Sequence, residues 1–176
     1  MKRCLDLAAM VMVSILVLGA WARADETKVN PAFDAWSRFG VGSSSTYDDT
    51  IDSPQGHSTT TMSIKLIDKA ADHVVVETSQ TSIIIGGQPR SIAPIQTTIS
   101  STFDPAKAVT QIGAEDVTAA GKTFSCRIVT PAHPRSGVMN QIKVWTSAQV
   151  PGAAVKITID MGTTKVSQVL KSFEAK

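Results

Sequence analysis

Hydrophobic and polar residues alternate with a period of two along most of the chain after Gly42. The alternation is clearest between residues 60 and 66, where one face is formed by Thr60, Met62, Ile64 and Leu66. Successive side chains of a β-strand point to opposite faces, so this pattern predicts half-buried strands and disfavours helices.

The alternation recurs in segments that are separated by turn-forming residues. These segments begin near His73, Ile95, Val109, Phe124, Ile142, Val155 and Val166. The turn signals between them include Asp52–Gly56, Asp68–Asp72, Gly86–Gly87, Asp104–Pro105, Ala119–Lys122, residues 131–137, Val150–Gly152 and Met161–Gly162. Eight or nine strands at this spacing, with no long helical pattern between them, predict a mainly β fold. We expect an antiparallel meander that forms a curved half-barrel or open barrel.

One segment before the strands has the features of a short helix. Asn30 is a favourable N-cap residue, and Pro31 suits the first helical position. Phe33 and Trp36 lie three residues apart and so share one face. Phe39 could extend this stripe before the glycines that follow end the helix. The stripe is expected to lie over a sheet edge or the barrel mouth.

Residues 1–24 have the three parts of a secretory signal peptide. Lys2 and Arg3 are followed by a mostly apolar run to Ala20, and Ala22–Ala24 places small residues before Asp25. This order predicts cleavage after residue 24 and a periplasmic or secreted location. The domains are therefore expected to be 1–24, the signal peptide, and 25–176, a single antiparallel β domain.

Membrane attachment is the alternative to cleavage. The apolar run is shorter than the about 20 residues that a spanning helix needs, and it contains Asp6. Trp21 and Ala22 stand where a lipoprotein would carry a cysteine. Contact with a membrane is therefore expected only through an uncleaved signal segment.

Removal of the signal peptide changes the charge and the cysteine count. The chain has 17 Lys+Arg and 15 Asp+Glu. The segment 1–24 contains three of the former and one of the latter, so 152 residues remain with 14 charges of each sign. A net charge of zero makes nucleic acid an unexpected partner, because that affinity depends on phosphate neutralisation. Cys126 would be the single remaining cysteine and is expected to be a buried strand residue, although a reactive or interchain thiol is the alternative.

The residue types that carry catalysis or bind metals form no recognisable motif. His57, His73 and His133 are not arranged at metal-ligand spacing, and neither H-E-x-x-H nor G-x-S-x-G occurs. We therefore predict that the protein is not an enzyme and has no cofactor and no metal. A hydrolase or thiol enzyme built on Cys126 or His133 is a minor alternative.

Three stretches resemble a family of small, mostly uncharacterised secreted bacterial proteins. They are Trp36–Ser43, Gly121–Cys126 and Trp145–Lys156, and the last resembles a W-x-S-x-x-V-P-G-x-x-V-K ending. More distantly, the order of helix, meander, Trp strand and terminal hairpin is similar to periplasmic lipoprotein-carrier half-barrels. That resemblance implies a curved sheet around an apolar cavity and assigns no functional residue.

The aromatic residues are the remaining candidates for a site. Phe33, Trp36, Phe39 and Trp145 could line a ligand cavity, or their rings could simply plug the open side of a curved sheet. The sequence predicts a non-catalytic secreted or periplasmic domain that binds an apolar or lipid-like small molecule. The alternative is a structural or interaction protein of the cell envelope, with an envelope protein as its partner. The sequence leaves the oligomeric state open.

Overall fold

A computed structural model describes residues 22–23, 30–54, 56–82, 90–102, 108–131 and 141–176. The helix α1 spans Pro31–Ser37. The strands are β1 (Ala22–Arg23), β2 (Ser44–Ser53), β3 (Gly56–Lys69), β4 (His73–Ser82), β5 (Arg90–Ser100), β6 (Ala108–Ala119), β7 (Lys122–Pro131), β8 (Gln141–Thr146), β9 (Ala154–Asp160) and β10 (Lys165–Glu174). No helix in these ranges is long and apolar enough to span a lipid bilayer.

The ten strands form one open sheet in the order β1-β6-β7-β8-β9-β10-β2-β3-β4-β5. Every pairing is antiparallel except that of the two-residue β1, which runs parallel to β6 at Ala108 and Val109. Each run from β2 to β5 and from β6 to β10 is a meander, as predicted. The two meanders are joined side by side because β10 pairs with β2 along almost its whole length. The prediction of a mainly β, antiparallel open half-barrel with one short helix is confirmed.

The helix begins where the sequence predicts it. The side-chain oxygen of Asn30 accepts a hydrogen bond from the Ala32 amide at 3.0 Å, and Pro31 occupies the first helical position. Asn30 also joins this end to the sheet, since its amide donates to Ser101 O and its side chain donates to Ser100 O, both at 2.9 Å. The helix therefore crosses the end of β5 and lies over the sheet.

The core lies on the face of the sheet that receives α1, which we call the inner face. Burial alternates along β2, where Tyr47 and Ile51 are buried and the residues between them are less so. Tyr47 pairs in register with Leu170 on one side and Met62 on the other, which carries the apolar set across three strands. This burial removes apolar surface from water, which is the main favourable contribution to folding.

A second apolar layer forms where the β6–β7 hairpin turns back toward β10. The Ala120 amide donates to Leu170 O at 3.2 Å, and the rings of Phe124 and Phe173 meet edge to face at 5.9 Å. Lys122 places its Nζ 5.2 Å from the centre of the Phe173 ring. The turn end of this hairpin is thus packed against β10.

Several predicted features lie outside the described residues. They are the signal peptide except for Ala22–Arg23, the Gly86–Gly87 turn, the Asp104–Pro105 break and most of the loop at 131–137. Cleavage and the domain boundary at residue 24 therefore stay predictions. The described turns at Ala119–Lys122, Val150–Gly152 and Met161–Gly162 are found at the predicted positions.

Candidate functional site

A cavity of about 530 Å³ lies between α1 and the inner face of β6, β7 and β8. The helix supplies one wall with the side chains of Pro31, Asp34, Ala35 and Arg38. The opposite wall consists of the alternate positions that β6 and β7 direct inward, and the turn after β8 closes one side. The short helix is therefore an essential part of this site.

Apolar and polar groups are mixed in the lining of the cavity. The alkyl groups come from Ala35, Val109, Val129, Ala148 and Ala153. The uncharged polar groups come from Gln111, Ser125, Thr146, Ser147 and Gln149. A cavity of this composition suits a molecule that has both an apolar part and a polar end.

Three charged side chains lie on the cavity wall. Asp34 and Arg38 are one helical turn apart and form an ion pair with each other. Arg127, on β7, is exposed and lies opposite Ala114 of β6 in register. Its guanidinium has no hydrogen-bond or ion-pair partner among the residues that the structure describes. The unpaired charge in the cavity is thus a cation with five donor groups.

The four aromatic residues predicted to line a ligand site lie near the cavity but are not part of its lining. Trp36 is 2% exposed, and its ring packs against the backbone of Gly152 in the β8–β9 turn. Phe33 is partly buried against the core. Phe39 follows the helix, and its amide donates to Trp36 O at 3.0 Å. Trp36 and Phe33 therefore act here as packing residues that hold α1 to the sheet.

Trp145 lies on the face of β8 opposite the cavity. Its ring nitrogen donates to Glu115 on β6, and Lys156 of β9 lies over the ring with Nζ 4.8 Å from its centre. The neighbouring residue Thr146 points into the cavity instead. That the four aromatic residues line a ligand site stays a prediction. Of these four residues, the structure brings only Trp36 and Phe33 together in one packed region.

The polar lining residues of β7 were not predicted as site residues, because alternation alone does not show which exposed side chains border a cavity. Ser125, Arg127 and Val129 share one face of β7, and sequence reasoning takes a face with Ser and Arg for the solvent side. In the structure Phe124 and Cys126 are buried on the other face, whereas Ser125 and Arg127 are exposed and border the cavity. The sequence did contain one signal for a site on this face of β7. It is Val129, an apolar residue on the same face as Ser125 and Arg127.

Cys126 is buried, as predicted, at 3% exposure. Its Sγ donates to Phe124 O at 3.5 Å. Burial raises the pKa of the thiol, and the carboxylates of Asp116 and Glu115 raise it further. A raised thiol pKa disfavours the reactive thiolate.

We expect Cys126 to react slowly with a thiol reagent such as Ellman's reagent while the protein is folded. Unfolding in denaturant should restore the rate of an ordinary thiol, because burial and the two carboxylates then no longer act on it. The measurement is the labelling rate with and without denaturant. A native rate equal to that of the unfolded chain would revive the thiol-enzyme alternative.

The two described histidines lie on strands β3 and β4, whereas Cys126 lies on β7. His57 pairs with Asp52 at 2.6 Å in the β2–β3 hairpin, and His73 Nδ1 lies 2.8 Å from Asp72, where this hydrogen bond lowers the pKa of the Asp72 carboxyl. His133 lies outside the described residues. Among the residues that are described, no three His, Cys, Asp or Glu side chains are grouped as a metal site would require.

No family model matches the chain, and no curated protein matches it. Among solved structures, the chain is similar to MucB at 12% identity and a TM-score of 0.46, over 82% of this chain and 56% of MucB, so that it spans little more than half the length of MucB. It is also similar to a protein with a YmcC-like fold from Bacteroides fragilis, at 9% identity and a TM-score of 0.48, over 77% of this chain and 97% of that one.

A third similar structure is a domain assigned to outer membrane lipoprotein sorting from Vibrio parahaemolyticus. The identity is 12% and the TM-score 0.32, over 78% of this chain and 86% of that domain. It belongs to the class that the distant sequence resemblance named. All three TM-scores are below 0.5, so these likenesses carry no argument about a ligand, a partner or an activity of this chain.

Proposed function

We propose that this chain is a non-catalytic exported β domain that binds a small lipid-like molecule in the cavity between α1 and β6–β8. The observation that carries the proposal is the cavity itself. Its volume of about 530 Å³ lies inside the range of roughly 300–1,000 Å³ that is typical of small-molecule sites. Export follows from the predicted signal peptide at residues 1–24.

The lining favours an amphiphile over a purely apolar ligand. Val109, Val129 and Ala153 offer alkyl contacts along the wall, whereas Arg127 supplies a cation without a partner among the described residues. A charge-assisted hydrogen bond to a carboxylate or phosphate is about twice as strong as a neutral one. We therefore expect the polar end of the ligand to be anionic and to lie at Arg127.

Filling the cavity should prevent binding. The probe is cis-parinaric acid, a fluorescent fatty acid, and the variants are Ala35→Phe and Ala148→Phe, which both place a ring in the cavity. We expect each variant to raise the Kd of the probe at least about tenfold, equivalent to about 1.4 kcal/mol of lost binding free energy. The measurement is a fluorescence titration at constant protein concentration.

Ala93→Phe is the matched control, because Ala93 is exposed on β5 and does not line the cavity. This variant should bind the probe as the wild-type chain does. The methyl ester of the same acid tests the anionic end, and it should bind more weakly than the acid. The proposal is contradicted by a wild-type chain that binds neither probe, or by filled variants that bind as well as Ala93→Phe.

The second candidate function is that of an envelope interaction protein, and the edge of the sheet favours it. No described strand pairs with the outer edge of β5, and residues 96–98 on this strand are exposed. An unpaired edge can accept a strand from another protein. Co-purification from envelope extracts would test this function, and recovery of the free monomer alone would count against it.

A further inference from the structure

Two buried polar side chains face each other where the two meanders of the sheet meet. Asp49 on β2 and Gln168 on β10 are direct register partners. Asp49 is 3% exposed and Gln168 is 1% exposed. Side chains at directly opposite positions of an antiparallel pair have Cβ atoms about 4.5–5.5 Å apart, so the carboxyl and amide groups can meet.

Each of these side chains has an oxygen without a partner. Asp49 Oδ1 and Gln168 Oε1 are fully shielded from water and accept no hydrogen bond from any described residue. The Gln168 amide nitrogen donates to the Met62 sulfur at 4.0 Å. A buried acceptor without a hydrogen-bond partner is unfavourable, and a proton on Asp49 would let its carboxyl donate to Gln168 Oε1 across the strand pair.

Among the described register neighbours of Asp49, none is a cation that would stabilise its ionised form. On β10 the inner-face residues beside Gln168 are Val166 and Leu170, and on β3 the register partner of Asp49 is Thr60. Thr60 accepts from Gln80 of β4 at 3.1 Å, so this neighbour is uncharged as well.

The titratable groups nearest to Asp49 are on its own strand. Asp48 is negative and points to the other face, where it pairs with Lys171. Tyr47 is buried and donates to Ala154 O at 3.1 Å. Burial raises the pKa of Asp49 to about 7; Gln168 lowers it in part, and the Asp48 charge raises it.

We propose that Asp49 and Gln168 share a proton across the β2–β10 pairing, and that loss of this proton loosens the contact between the two meanders. The protonated carboxyl donates its O–H to Gln168 Oε1. In the described sheet, β2–β10 is the one strand pairing that joins the meander β2–β5 to the meander β6–β10. The pair is thus a pH-sensitive lock on the state in which β2 and β10 are paired. We call this state the closed form.

The sign of the effect follows from the two states of Asp49. The unfolded or opened chain has the ordinary carboxyl pKa of 3.8, and the closed chain has the raised value. The closed form therefore binds one more proton between these values. The stabilisation that the Asp49 carboxyl gives to the closed form is fully present below the ordinary pKa. This stabilisation falls as the pH rises through about 7.

Hydrogen exchange measured at two pH values tests the lock. Between about pH 5.5 and about pH 8.5, protection factors of the β2 and β10 amides, corrected for the intrinsic rate, should fall about 30-fold. Amides in β7, which opening at this pairing leaves bonded to β6 and β8, should change less. In Asp49→Asn, the side-chain amide donates to Gln168 at every pH, so the difference between the two pH values should disappear.

Asp48→Asn is the matched control, because it removes a neighbouring carboxylate on the exposed face and should keep the pH dependence. If Asp49→Asn does not fold, ¹³C NMR of the Asp49 carboxyl in the wild-type chain decides the question. A titration midpoint near 7 supports the lock. A midpoint near the ordinary value would show that the Gln168 amide donates to an ionised Asp49, and it would overturn the proposal, as would wild-type protection that does not depend on pH.

Discussion

Replacing Trp36 with alanine is expected to lower the free energy of unfolding by about 3–5 kcal/mol and to abolish binding of the fatty-acid probe. Trp36 is the largest side chain buried between α1 and the sheet, at 2% exposure. Its loss leaves a space in the core and removes the main apolar contact of a seven-residue helix, which is too short to persist without packing. Three residues of this helix and its C-cap residue Arg38 line the cavity, so the site should lose one wall together with the stability.

The two effects are separated by a variant that costs similar stability elsewhere. Leu170→Ala removes a side chain that is 2% exposed on β10 and outside the cavity, and it should cost about 2–5 kcal/mol. Denaturant unfolding gives the stability of each variant, and the parinaric acid titration gives the binding. Binding that is retained in Trp36→Ala, or lost equally in Leu170→Ala under folding conditions, would contradict the role assigned to the helix.

Replacing Gly152 with alanine is expected to lower the free energy of unfolding by about 2–4 kcal/mol, from backbone strain and overpacking together. Gly152 has a φ of 78°, which disfavours a side chain. A Cβ at this position would lie 2.7 Å from Cζ2 and 2.9 Å from Cε2 of the Trp36 ring. Because the ring is buried on its other side by the core, it cannot move away at low cost.

Gly162→Ala provides the control for Gly152→Ala. Gly162 has nearly the same backbone angle, with a φ of 80°, but nothing lies within 4 Å of its Cβ position. It should therefore show only the backbone cost of about 1 kcal/mol. Equal unfolding midpoints for the two variants in urea would show that contact with Trp36 does not explain the glycine at position 152.

The local elements were predictable because their causes lie within a few residues. Asn30 and Pro31 define the start of the helix through one side-chain hydrogen bond and one missing amide hydrogen. Thr60 to Leu66 alternates in the sequence and, in the structure, its even-numbered residues are buried. The turn at Val150–Gly152 was likewise marked by its Pro-Gly pair.

The cavity was less predictable, because it depends on what covers each face. Ser125 and Arg127 alternate with buried residues in the way that solvent-facing residues do, and they are exposed; only the position of α1 opposite them makes them one wall of the cavity. The aromatic residues were the natural candidates from sequence. The structure instead places Trp36 against Gly152 and Trp145 on the face opposite the cavity, so neither is in its lining.

The sequence by itself determined the strands, the short helix and the single antiparallel sheet, because period-two burial and capping act over short distances. The tertiary structure alone decided that β10 lies beside β2, which puts Asp49 against Gln168, 119 positions further along the chain. It also decided that α1 lies across the cavity from β6–β8. The reason is that pairing between distant strands depends on the register and curvature of the whole sheet. Alternation looks the same for every half-buried strand, so it does not specify which strand is the partner.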